Sequence, residues 1–319
     1  MNSDTARIVL VGDGPTAESA LRSLIGRFDV VAVVRTVDDE AADPVARVAD
    51  EAGITVLAAP NTAALEVEID RLAPDLVVVS SYSRILPDRL ISQRPFLNVH
   101  YADLPRYRGR ANVNWALING ESHVGIAIHR IVEGVDAGPI IARDRIPIGE
   151  RDDVTDLYAH LNERQAELLP DAIIAVLHGE TGTVQDPTEA TYCCGRVPDD
   201  GLIDWAAGTD AVDRLIRALT APYPGAFTFC GTARIVVDEA SPVADATEYV
   251  GRVPGRVVQV HRRSGEVDVL TGDGVLRLRS IRVDGESCRP ADVISSVSAT
   301  LGLFPLDFLR ASGLIGASA

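Results

Sequence analysis

The chain of 319 residues is 46% hydrophobic and carries a net charge of −16, which suits two domains with apolar cores better than one small domain. No apolar run reaches the roughly 18 residues that a membrane-spanning helix needs, so a helical membrane protein is excluded. Through residue 200 there are 18 arginines against 32 acids, −14, and after it 12 against 14, −2. That balance speaks against a nucleic-acid partner, whose phosphates need cations.

Met1–Arg7 is polar and leads straight into an apolar run, so it does not read as a secretory signal. Arg7–Gly12 is a buried strand with glycine beyond it. Helical spacing follows over Pro15–Ile25, then a strand at Val30–Val34, a helix at Val45–Ala52 and a short strand at Ile54–Leu57. A helix at Ala64–Leu72 and a strand at Leu76–Val79 come next, then a short helical stretch after Ser83 and a fifth strand at Phe96–Val99. This alternation with short connections predicts an α/β fold, a doubly wound, mostly parallel, Rossmann-like sheet. Such sheets bind ligands beyond the carboxyl ends of their strands, at the topological switch point.

His100–Arg110 reads as a loop, Val113–Ile118 as a short helix, Gly125–Ile131 and Ile140–Ile148 as a strand pair, and Val154–His178 as a long amphipathic helix. Gly179–Asp200 is turn-rich and reads as the crossing to a second domain, and Ala211–Thr220 is one more helix. Short strand patterns at Ala233–Val237, Gly255–His261, Glu266–Leu270 and Val275–Ile281 predict a small β-barrel, closed by a terminal helix over Pro290–Gly302. The expected division is 1–200 and 201–319.

Four cysteines, Cys193, Cys194, Cys230 and Cys288, form no CxxC and lack metal-ligand spacing. They read as reduced thiols of a cytoplasmic protein without a metal site. Gly12-Asp-Gly14-Pro-Thr-Ala17 fits G-x-G-x-x-A at a strand end, a dinucleotide pattern that also wants an acid closing the second strand. Arg35 stands there instead, with Asp38 three residues on. An arginine can hold a 2′-phosphate; the plainer reading is a tight strand-to-helix turn.

The richest chemistry lies between Phe96 and Ile141. Asn98 and His100 are two apart at a strand end, so an amide and an imidazole point the same way. Leu104–Arg110 is a rigid cationic loop, and Asp136 sits in a glycine-flanked turn that admits close ligand approach. Amide, imidazole and carboxylate together suit acyl transfer: an oxyanion donor, a proton carrier and a group that orients or charges the imidazole. Three polar residues this far apart could equally be a satisfied polar loop. His129 lies on a strand and reads as structural, and His123, His160, His178 and His261 read as solvent-facing.

Asn98-Val-His100, Leu104-Pro-Arg-Tyr-Arg-Gly109 and Asp136-Ala-Gly138 resemble, in order and spacing, the signature of the 10-formyltetrahydrofolate-dependent formyltransferases. Asn114-Trp115, Asn119-Gly-Glu121, Ile128-His-Arg130, Asp200–Trp205 and Ala221–Phe227 are similar to the formyltransferase domain acting on UDP-4-amino-4-deoxy-L-arabinose. Pro254-Gly255 and Thr271–Gly274 resemble the family's C-terminal barrel. The resemblance implies Asn98, His100 and Asp136 as catalytic residues. It implies that Tyr82, Ser83 and Arg84, at the end of the fourth strand, line a pterin pocket, with Arg110, Val132, Glu133, Gly134 and Val135 also touching the folate.

Two departures lie beside the expected amine site: Tyr101-Ala102-Asp103 replaces a small residue and Ser-Leu, and Asn112 stands where proline is usual. The methionyl-tRNA enzymes carry a basic insertion after their second strand, whereas Val37–Asp43 here is acidic. The expected function is therefore transfer of a formyl group from 10-formyltetrahydrofolate, as cosubstrate and without a metal, to a small primary amine. A nucleotide-linked amino sugar leads, followed by delta-N-hydroxyornithine, methionyl-tRNA and hydrolysis of the formyl folate. A homodimer is a compatible assembly, and the second domain either completes the acceptor pocket or mediates dimerisation.

Overall fold

The computed structural model describes residues 6–36, 43–305, 309 and 311–314. Of the acidic stretch after Arg35 only Asp43 is among them, and Asp38 lies outside. The chain divides into two compact units, one of Met1–Val113, Ser122–Ile148 and Asp156–Gly195, the other of Asn114–Glu121, Gly149–Thr155 and Arg196–Ala319.

In chain order the first unit begins with β1 (Arg7–Val11), α1 (Gly14–Leu24), β2 (Asp29–Arg35), α2 (Pro44–Glu51), β3 (Val56–Ala58), α3 (Thr62–Leu72) and β4 (Leu76–Ser80). Then come α4 (Asp88–Ile91), β5 (Phe96–His100), β6 (Arg108–Gly109), α5 (Asn112–Asn119), β7 (His123–Arg130), β8 (Ile140–Pro147), α6 (Val154–Leu177) and β9 (Tyr192–Cys193); all of α5 from Asn114 on, and the first two residues of α6, belong to the second unit. The sheet order is β3-β2-β1-β4-β5-β7-β8. The first five strands run parallel, β7 is antiparallel to β5, and β8 is antiparallel to β7. Every residue of β4 is buried. Its unbroken apolar run is what a central strand covered on both faces requires. α1 buries Ala17, Ala20, Leu21 and Leu24, spaced at three, four and seven residues along one face.

Gly12 is required by packing. A Cβ there would stand 1.7 Å from the carbonyl oxygen of Ser80. The loop after it carries its own anions. Asp43 accepts from the amides of Gly14 at 3.0 Å and Val45 at 2.9 Å, so one carboxylate serves the starts of both α1 and α2. Arg35 is 3% exposed and pairs with Asp43 at 2.8 Å and Asp13 at 3.5 Å. The amide that would hold a pyrophosphate and the guanidinium that would hold a 2′-phosphate are thus both engaged by carboxylates. The turn reading accounts for this motif.

The second unit contains α7 (Thr209–Ala218), β10 (Ala226–Cys230), β11 (Ala233–Pro242), β12 (Val257–His261), β13 (Glu266–Leu270), β14 (Val275–Val283), β15 (Glu286–Cys288) and α8 (Pro290–Val293). Its sheet runs β10-β11-β14-β13-β12 with β15 on β14, all antiparallel. The expected terminal helix over Pro290–Gly302 is corrected: α8 stops at Val293. Further on, the Val257 amide donates to Ala299 O at 3.0 Å, and the Gly302 amide donates to Phe229 O at 2.9 Å. One short segment therefore bonds to the strands at both ends of the sheet order, which brings the sheet round toward the expected barrel. Edge strands leave backbone groups unpaired, and this demand outweighs helical spacing. Among the described residues no helix is long and apolar enough to cross a membrane.

Candidate active site

β5 and β7 pair with Asn98 opposite His129 and His100 opposite Ala127. Alternation along β5 turns Asn98 and His100 to one side, as expected. They meet Asp136, delivered by the loop after β7. That loop turns sharply: Gly134 has φ 97° and Asp136 itself φ 49°. At Gly138 a Cβ would strike the Arg130 carbonyl oxygen at 1.7 Å, so only glycine lets the loop fold back against its own strand.

The three side chains line one cavity of about 750 Å³ in the first unit, within the usual range for a small-molecule site. Tyr82, Ser83, Arg84, Arg110, Val132, Glu133, Gly134 and Val135 line the same cavity. All eleven residues named from the sequence are thus together. One placement is corrected. β4 ends at Ser80, so Tyr82, Ser83 and Arg84 lie in the following loop. Val79, Leu86, Ile91 and Ile131 supply an apolar wall, and Gly12–Ala17 is not part of the lining.

The polar network is specific. Asn98 Nδ2 donates to Asp136 Oδ1 at 3.3 Å and lies 3.1 Å from His129 Nε2. His129 Nδ1 lies 2.9 Å from the Arg130 carbonyl oxygen. Only an N–H satisfies that oxygen, so in the neutral ring Nε2 is the acceptor for Asn98. His129, 2% exposed, is therefore part of the site. Reading it as merely structural is corrected. Its signal lay in the strand register, which sets it opposite Asn98.

His100 Nε2 lies 3.0 Å from the Tyr107 carbonyl oxygen, which fixes the proton on that nitrogen. Nδ1 then carries the lone pair and faces Asp136 Oδ2 at 3.6 Å. Burial lowers the His100 pKa below the usual histidine value, against the raising pull of Asp136. The resting imidazole is neutral at pH 7. Burial pushes the Asp136 carboxyl up, but His129, His100 and the Gly109 amide outweigh it and hold it at about 2. The Gly109 amide donates to Asp136 Oδ2 at 2.9 Å.

The departures divide. The Tyr101 hydroxyl donates to Asn162 Oδ1 at 2.7 Å, and Asp103 pairs with Arg145 at 2.8 Å and faces His123 Nε2 at 3.5 Å. Neither lines the cavity. Asn112 donates to the Tyr107 carbonyl and lies 3.3 Å from His100 Nε2. His123 and His261 are carboxylate partners, the latter 2.9 Å from Asp268; His160 and His178 are exposed as expected. Among the described residues no group of three or more His, Cys, Asp or Glu could hold a metal ion.

The sheet and the loop after β7 gather an amide, two imidazoles and an ionised carboxylate beside an apolar wall, a set of groups suited to group transfer. The Formyl transferase family model matches residues 19–173 and the Formyl transferase C-terminal domain model matches residues 197–297. The chain belongs to the formyltransferase family. Solved structures share the fold. HypX from Aquifex aeolicus is 19% identical over 92% of this chain and 49% of that one, with a TM-score of 0.66. WlaRD, a sugar 3N-formyl transferase, is 17% identical over 88% of this chain and 98% of that one, at 0.61. Glycinamide ribonucleotide transformylase 1 from Symbiobacterium toebii is 24% identical over 58% and 96%, at 0.51. The chain spans about half the length of the HypX structures it matches.

Proposed function

We propose that this chain transfers a formyl group from 10-formyltetrahydrofolate to a primary amine on a small molecule, a nucleotide-linked amino sugar. The observation that carries the reading is the convergence of Asn98, His100 and Asp136 on one cavity. The apolar wall of Val79, Leu86, Ile91 and Ile131 suits a flat heteroaromatic ring. HypX has been solved with tetrahydrofolic acid, and WlaRD with dTDP and 5-N-formyl-THF, which supports a folate donor and a nucleotide-sugar acceptor here. The acidic charge of the first 200 residues supports a small acceptor over tRNA.

The folate supplies an activated formyl group, and this chain's residues manage charge and protons around it. An Asn98 N–H, released from Asp136 or His129, donates to the formyl oxygen as that oxygen becomes negative. One such donor is typically worth about 3–4 kcal/mol. With Nε2–H tied to Tyr107, Nδ1 of His100 is the base that takes the amine proton as nitrogen bonds to the formyl carbon, and it passes that proton to the folate nitrogen as the old carbon–nitrogen bond breaks, releasing tetrahydrofolate. Asp136, held at about 2, is a poor base near neutrality. Its role is to stabilise the imidazolium that forms. The division into a catalytic domain over 1–200 and a second domain over 201–319 belongs to the same reading.

The test incubates the chain with 10-formyltetrahydrofolate and a panel of UDP- and dTDP-amino sugars, hydroxyornithine and methionyl-tRNA. Release of tetrahydrofolate and formylated product are followed together. Formylation of an amino sugar is expected. Release of folate without any formylated product would instead identify a hydrolase, and preference for another amine would overturn the acceptor.

A further inference from the structure

Gln185 lies in the turn-rich segment after α6, far from the catalytic trio in sequence and only 7% exposed. Both groups of its side-chain amide are engaged. Nε2 donates to the Asp136 carbonyl at 2.8 Å and to the Gly138 carbonyl at 2.7 Å. Oε1 accepts from Arg108 Nε at 3.2 Å and Nη2 at 2.7 Å. Arg108 is itself 5% exposed and immediately precedes Gly109, whose amide holds Asp136 Oδ2. One side-chain amide thus clamps the loop carrying Asp136 to the strand that binds its carboxylate.

The need for a clamp is visible in the loop. Asp136 adopts positive φ without being glycine, a conformation that surrounding structure must hold. Gly138 abuts the Arg130 carbonyl, and Gln185 secures the carbonyls of Asp136 and Gly138. A hydrophobic side chain of equal size would leave two buried carbonyls without donors, at a site where such losses are costly. We infer that Gln185 is a positioning residue for the formyl transfer, acting through the Asp136 loop and touching no substrate. The inference rests on the reading of Asp136 given above.

The test uses the full chain with Gln185→Glu and Gln185→Leu. Glu keeps the length and the pairing to Arg108 but removes both N–H donors. In either variant kcat is expected to fall roughly 10–100-fold, the scale of a misplaced catalytic group, while KM for 10-formyltetrahydrofolate moves less than about threefold. Carboxyl NMR of Asp136 is read beside it and needs no turnover. Its titration is expected to move up by about one unit as the Gly109 contact loosens. A folded variant with an unmoved Asp136 titration and unchanged kcat overturns the inference. So does loss of folding in both variants, which would make Gln185 a structural residue only. If wild-type protein transfers no formyl group while the Asp136 titration still shifts, the clamp stands and the formyl-transfer reading falls.

Discussion

Asn98 on β5 stands directly across from His129 on β7, with its amide nitrogen 3.1 Å from the imidazole Nε2. His129 is anchored in turn by the Arg130 carbonyl, so in the neutral ring Nε2 accepts from Asn98. The donor geometry of Asn98 is thus set from the neighbouring strand. Replacing His129 with Leu should leave the strand intact and lower kcat about 10–100-fold by loosening Asn98. Steady-state kinetics with circular dichroism checks it; near-normal kcat in the folded variant would remove His129 from the site.

Asn98→Ala deletes the amide itself. An oxyanion donor of this type typically carries about 10²–10³ in kcat. The expected result is a loss of that size with folate affinity retained, measured by single-turnover kinetics and fluorescence titration of tetrahydrofolate.

Asp136→Asn should keep the fold and abolish most turnover while the folate still binds. It should also alter the response to acid. The Asp136 pKa is depressed from 3.8 to about 2, so its contribution to stability is present above the unfolded value and disappears as pH falls through about 2. The full effect is on the order of 2 kcal/mol. Denaturant titrations from pH 6 to pH 2 should show a shallower acid loss in the variant. Equal slopes would contradict the assignment.

The pH–rate profile follows from His100. Its pKa lies below 6.5, chiefly through burial, so the neutral ring prevails at pH 7. If Nδ1 is the working base, kcat/KM should be flat above about pH 6.5 and fall on the acid side. A rate that rises on acidification would mean that the imidazolium is the active form.

Gly12→Ala tests the glycine loop. The added methyl would collide with the Ser80 carbonyl oxygen in the core. A loss of roughly 1–3 kcal/mol or more is expected, read as a drop in Tm. NADH and NADPH should leave the wild-type Tm unmoved, since Asp43 and Arg35 already satisfy one another.

Much of the first unit was legible because its central strands are continuous apolar runs, as Leu76–Val79 illustrates, and such runs have few other stable placements. The pairing of Asn98 with His100 was legible from strand alternation, and Asp136 from its motif and glycines. His129 was not. Nearly all of β7 is buried, so alternation there does not separate a site face from a core face. Only the register against β5 does, and register is non-local. Gln185 was hidden for the same reason: its partners are 47 to 77 residues away. The terminal segment misled because Val293, Ile294 and Val297 have helical spacing, while its backbone bonds are dictated by distant strands.

That final segment has a practical consequence for shortened versions of the protein. A chain cut just before Ala299 would keep every strand of the second sheet yet strip the backbone partners from Val257 and Phe229. Two raw β-edges on one small unit are a template for stacking molecule on molecule. Such a truncation should purify as large assemblies at concentrations where the intact chain does not.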